Sequence, residues 1–101
     1  MFELTDAEQM AAEYPDTFHI PDHTSRHCLR VGDLAKLDFI ADEADRDDFG
    51  TERMWVKVTE VRPGPRYIGA LSNQPVVCTD IEFGSPITFE PRHVCAMECS
   101  E

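Results

Sequence analysis

The sequence predicts an α+β domain: a short N-terminal helix packed on a strongly curled antiparallel sheet, or on a small SH3-like β-barrel, of five to six strands. Three observations carry that expectation. In Arg53-Met54-Trp55-Val56-Lys57-Val58-Thr59-Glu60-Val61, the residues Met54, Val56 and Val58 alternate with Trp55, Lys57 and Thr59, the period-two signature of a strand with unlike faces. The turn formers Pro63-Gly64-Pro65, Ser72-Asn73-Gln74-Pro75 and Gly84-Ser85-Pro86 cut the C-terminal half into short apolar runs. Ahead of them, Thr5 with Glu8 three residues on forms a capping box before an apolar stripe.

That stripe, Ala7, Met10 and Ala11, predicts a helix over residues 6–13, with Asp6 and Glu8 at the dipole's positive end. Pro15 disfavours helical geometry at Tyr14 and ends it. From Asp16 to Arg30, Phe18 and Ile20 are the anchors, Pro21 argues against a regular helix, and Asp22-His23-Thr24-Ser25-Arg26-His27 reads as a surface loop. Val31-Gly32-Asp33 is a tight turn that launches a strand over 35–41, where Ala35, Leu37, Phe39 and Ala41 alternate with Lys36, Asp38 and Ile40. A charged loop over 42–48 then joins it to the Trp55 strand. With Trp55 opposite Val56, that strand is apolar on both faces and therefore central or covered twice.

Tyr67 to Leu71 predicts a short strand, with Gly69 marking a bulge or the close approach of another backbone. Val76-Val77-Cys78 is a return strand, and Ile87-Thr88-Phe89 is the last clear one, with Pro86 at its start, at an edge or at a bulge. Pro91 to Met97 predicts a short strand or a turn of helix that seals the core with Val94.

At 101 residues and 42% hydrophobic content the chain is one domain, 1–101, with a single core. Twenty acidic residues against nine basic ones leave a formal charge of -11, which repels nucleic acid and anionic membrane surfaces. The same charge suits a basic protein partner. The N-terminal Phe2-Glu3-Leu4-Thr5-Asp6 is no signal peptide, and no stretch approaches the roughly 18 apolar residues of a membrane span, so the expected location is cytoplasmic. There, Cys28, Cys78, Cys95 and Cys99 are expected as free thiols.

Glu52 to Val58, then Gly69-Ala70-Leu71-Ser72-Asn73-Gln74-Pro75, then Phe83-Gly84-Ser85-Pro86-Ile87-Thr88-Phe89 with His93-Val94, together resemble an uncharacterised bacterial family, domain of unknown function 2314. Phe18-His19-Ile20-Pro21 and Val31 to Leu37 fit as well, so the likeness spans about residues 18–94. The chain departs from the pattern at Ser85-Pro86, where the family has an acidic residue after the glycine. The resemblance implies a small bacterial cytoplasmic domain with no assigned activity. A similar family is classed among immunity proteins that neutralise secreted toxins, which implies a binding role.

The expected function is a non-catalytic protein-binding or accessory module with no cofactor. Its candidate partner-binding residues are Asp42, Glu43, Asp45, Asp47 and Asp48, the most negative run of the chain, with Trp55 and Tyr67. Calcium does not suit that run: no bidentate Glu follows at the EF-hand distance and Gly50 is misplaced. Trp55 reads as core unless one ring face lies exposed beside Arg53 or Tyr67. Asn73 reads as a turn residue that tolerates positive φ. The alternatives are a small-molecule site, a zinc site from His23, His27, Cys95 and Cys99, and a cysteine-dependent enzyme using Cys28 beside His27 or Cys95 near His93. No glycine-rich phosphate loop or Gly-x-Ser-x-Gly elbow is present.

Overall fold

A computed structural model describes residues 3–40, 51–75 and 81–99. In chain order these form β1 (Glu3–Leu4), α1 (Ala7–Glu13), α2 (His23–His27), β2 (Leu34–Ile40), β3 (Thr51–Arg62), β4 (Arg66–Leu71), β5 (Pro86–Phe89), a single 3-10 turn (Pro91–His93) and β6 (Val94–Glu98). The architecture is the expected α+β, a curled antiparallel half-barrel. The strands run β1-β2-β3-β4-β5 across the sheet, and β6 shares the outer edge of β2 with β1. β3 is thus an inner strand, flanked by β2 and β4. Residues 41–50 and 76–80, with the acidic loop and the Val76-Val77-Cys78 strand, lie outside the described residues.

Alternation decides which side of the sheet is dry. Ala35, Leu37 and Phe39 of β2, Met54, Val56 and Val58 of β3, Tyr67 and Leu71 of β4, Ile87 and Phe89 of β5, and Val94 of β6 all point to one side and form one buried cluster with Leu29. Each of the larger of these side chains contributes roughly 1.5–3 kcal/mol of burial. Two register shifts help to curl the layer: one in the β3–β4 ladder between Val58 and Glu60, one in the β2–β6 ladder at Lys36/Leu37. An extra residue on one strand bends it and adds right-handed twist. Gly69 sits beside the first, where a Cβ would lie 2.6 Å from the Lys57 carbonyl oxygen; the close backbone approach expected at this glycine is present.

Gly32, at φ 98°, turns the chain into β2 and donates its N–H to the Val58 carbonyl at 2.9 Å. Pro86 opens β5, where its missing N–H is harmless. Pro91 to Met97, expected as either a short strand or a turn of helix, is a 3-10 turn followed by most of β6.

Two helical expectations are corrected. The N-cap of α1 is Asp6, which accepts from Gln9 N–H at 3.0 Å, and not Thr5. Thr5 N–H is already taken by the Asp38 carbonyl at 3.0 Å, which extends the β1–β2 pairing and delays the helix by one residue. Residues 23–27, read as loop, form α2: Pro21 precedes the helix, and Asp22 caps it by accepting from Ser25 N–H at 2.7 Å.

Arg26, on α2, is buried and ties the helical layer together. Its guanidinium donates to the Pro21 carbonyl at 2.8 Å and the Pro91 carbonyl at 3.1 Å, and it pairs with Glu8 of α1. Its own carbonyl accepts from the Tyr67 hydroxyl at 2.9 Å, so the same residue joins three helical elements to the sheet.

Candidate functional site

The solvent-side face of β2 and β3 carries the residues that the core does not use. Cross-strand partners share a face, so the register places Lys36 beside Trp55, Asp38 beside Arg53 and Leu34 beside Lys57. Trp55 is partly buried there, and the Lys36 ammonium lies over its ring, 5.2 Å from the centroid. At a surface such a cation–π contact is worth about 0.5–1 kcal/mol. Arg53, two residues along, lies over the Phe18 ring, also at 5.2 Å.

Both main-chain hydrogen bonds of Trp55 run to the β4 side, while toward β2 it faces Lys36 as a non-hydrogen-bonded pair. Beyond the last paired residue of β4, Ser72 N–H donates to the Trp55 carbonyl at 2.8 Å and the Asn73 side-chain oxygen accepts from Trp55 N–H. Asn73 therefore acts as a surrogate strand residue. It does not use the positive φ that Asn tolerates, since no non-glycine described residue has one. This explains the spacing of Gly69, Leu71 and Asn73: one permits close approach, one fills the core, and one completes the edge of β3.

Of the residues singled out from the sequence, Asp42, Glu43, Asp45, Asp47 and Asp48 lie outside the described residues. Trp55, read as core, is instead partly buried on the outer face with Lys36 over its ring; Arg53, two residues along the same face, lies over Phe18, and Tyr67 points into the core. Tyr67 is corrected as a partner-binding residue: it is 0% exposed, its ring packs on Phe89 at 5.3 Å, and its hydroxyl is engaged by Arg26 and Leu29. Burial raises its pKa.

The residues of the zinc alternative do not converge, for among the described residues no three His, Cys, Asp or Glu side chains group as metal ligands. His23 and His27 instead stack, with centroids 3.8 Å apart, and His27 Nδ1 donates to the His23 carbonyl at 2.7 Å. Cys95 is buried where β6 bulges, its thiol directed at the His93 carbonyl at 3.8 Å and not at the imidazole, while Cys99 is exposed. Burial pushes the Cys95 thiol up to about 11, which keeps it protonated at neutral pH and unsuited to act as a thiolate. His93 is buried too, and its Nδ1 accepts from Glu90 N–H at 3.0 Å, a bond only the neutral ring can make.

Sequence reasoning missed Lys36 and Asn73 as parts of the Trp55 site. Both are non-local: the signal for Lys36 is the β2–β3 register, which local pattern does not specify. Comparison of the chain with family models, with curated proteins and with solved structures found no match. No helix among the described residues is long and apolar enough to cross a membrane.

Proposed function

We propose that this protein is a non-catalytic binding module that engages another protein across the outer face of its sheet at Trp55. One observation carries the reading: the single tryptophan is held on a rigid inner strand, outside the core, with its backbone locked by Asn73 and its ring under Lys36. A large aromatic fixed before binding loses little conformational freedom on contact, which is why such residues serve as interface anchors. The resemblance to a bacterial family near the immunity proteins supports the same role by analogy, in a bacterial cytoplasm. The charge of -11 favours encounter with a partner whose body is basic, and the run Asp42 to Asp48 is the most negative stretch of the sequence.

The test is a photo-crosslinking residue placed at position 57 and, as a control, at position 24 on α2, each used to capture partners from the source cytosol at low and high salt. A discrete adduct from position 57 that position 24 does not give supports the proposal. No adduct from position 57 at either ionic strength, or the same adducts from both positions, refutes it.

A further inference from the structure

The sign of charge around Trp55 is opposite to that of the molecule. Lys36, Arg53 and Lys57 are three of only nine basic residues in a chain with twenty acidic ones, and all three lie on one face around one aromatic ring. Lys57 is exposed and Lys36 is engaged by the indole. Among the described residues, the immediate neighbours of Trp55 on this face, across the β2 ladder and two along β3, include one carboxylate, Asp38, beside Arg53; Glu98, Glu3 and Glu60 lie farther out on the same face, across from Leu34, Ile40 and Ile68, with Glu60 paired to Arg62. Three cations against one anion in that inner ring leave a positive patch centred on Trp55.

We infer that the outer face at Trp55 takes an acidic, extended segment of a partner protein. Carboxylates spaced along an extended chain fit a row of cations presented by paired strands, and the indole gives the segment's apolar groups a flat surface on which to lie. Lysine is a flexible point charge rather than a rigid fork, so the patch selects for acidity more than for one side-chain geometry. The whole molecule repels an acidic segment at long range and the patch attracts it only at contact. Recognition is therefore local, and a basic partner body steered in by the overall field presents an acidic segment to this face. This inference rests on the proposed binding role of Trp55 and adds the chemistry of what is bound.

Trp55, the only tryptophan, is its own reporter. The probe is a capped peptide of alternating Glu and Ser, one strand long, with a Lys/Ser counterpart as control. Both are titrated at about 0.15 M ionic strength, where the Debye length is about 8 Å and the overall field is screened while contacts are not. The expected result is a saturable change in Trp55 emission with the acidic peptide alone. Lys57→Glu should weaken it about five- to tenfold and Lys57→Gln about two- to fivefold, the scale of surface charge contacts. Far-ultraviolet circular dichroism of both variants checks that the sheet is intact. A response to the basic peptide alone overturns the acidic assignment and leaves the Trp55 face as a binding site. A response to neither peptide overturns the inference, and crosslinking from position 57 then decides the binding role by itself. Equal affinity of folded Lys57→Glu and the parent protein also overturns it.

Discussion

Replacing Gly69 by Ala tests the strand packing that holds the Trp55 face in place. An added Cβ would lie 2.6 Å from the Lys57 carbonyl oxygen and 3.1 Å from its carbon, and would overlap the Val56 side chain. Carbon and oxygen that approach without bonding sit about 3.3–3.6 Å apart even in the close contacts between strands, so roughly 0.7 Å must be opened. Lys57 is paired with Leu34 on one side and Ala70 on the other, and cannot move away without disturbing a ladder. Overpacking of this kind costs about 1–3 kcal/mol and a weakened ladder bond about 1 kcal/mol more. Reduced freedom of the unfolded chain returns about 0.4–1 kcal/mol. The net expectation is a loss of about 2–3 kcal/mol, which for a domain of this size lowers Tm by roughly 10–20 °C. Urea and thermal unfolding followed by Trp55 emission measure both quantities. Gly84→Ala is the control: at φ 89° with no atom within 4 Å, it meets backbone strain alone, about 1–2 kcal/mol. A Gly69→Ala protein as stable as the parent, or more so, would show that the strands do not approach this closely.

Three further outcomes are expected. Asn73→Ala removes the acceptor for Trp55 N–H and should cost about 1–2 kcal/mol in urea denaturation, whereas Asn73→Asp, which keeps the oxygen, should recover most of it. Burial, with Arg92 beside it, lowers the His93 pKa below its ordinary 6.5 against the opposing pull of Glu90, Asp6 and Glu8. The unfolded chain then binds the proton more readily. His93 costs nothing above the unfolded pKa, and stability is lost as pH falls through that value, levelling once the folded pKa is passed. The difference in stability between the parent and His93→Gln should carry this dependence, and a difference that is flat with pH would contradict it. In a Cys78→Ser background, an aromatic disulfide reagent near pH 8 should label exposed Cys28 and Cys99 at once and Cys95 only on unfolding, because its thiol is buried and raised to about 11.

The alternation of Ala35, Leu37 and Phe39, and of Met54, Val56 and Val58, determined by itself which faces would be dry, since side chains of a strand point alternately to opposite sides whatever lies beyond. The proline and glycine turns likewise marked where strands end, and Gly69 announced a close approach, because each acts through its own backbone. What local pattern did not contain was competition. Thr5 and Asp6 are both good caps, and the choice fell to Asp6 because β2 had taken the Thr5 N–H. Arg26, in a polar run that reads as surface, is buried because Glu8 and the carbonyls of Pro21 and Pro91 converge on it from distant parts of the chain. Tyr67 has one aromatic body and one polar tip, a composition equally suited to an interface or a core. Only the three-dimensional arrangement, which offered its hydroxyl Arg26 and Leu29, decided for the core. The same arrangement put Lys36 over Trp55, since strand register is settled by the whole buried face and not by the residues that it brings together outside.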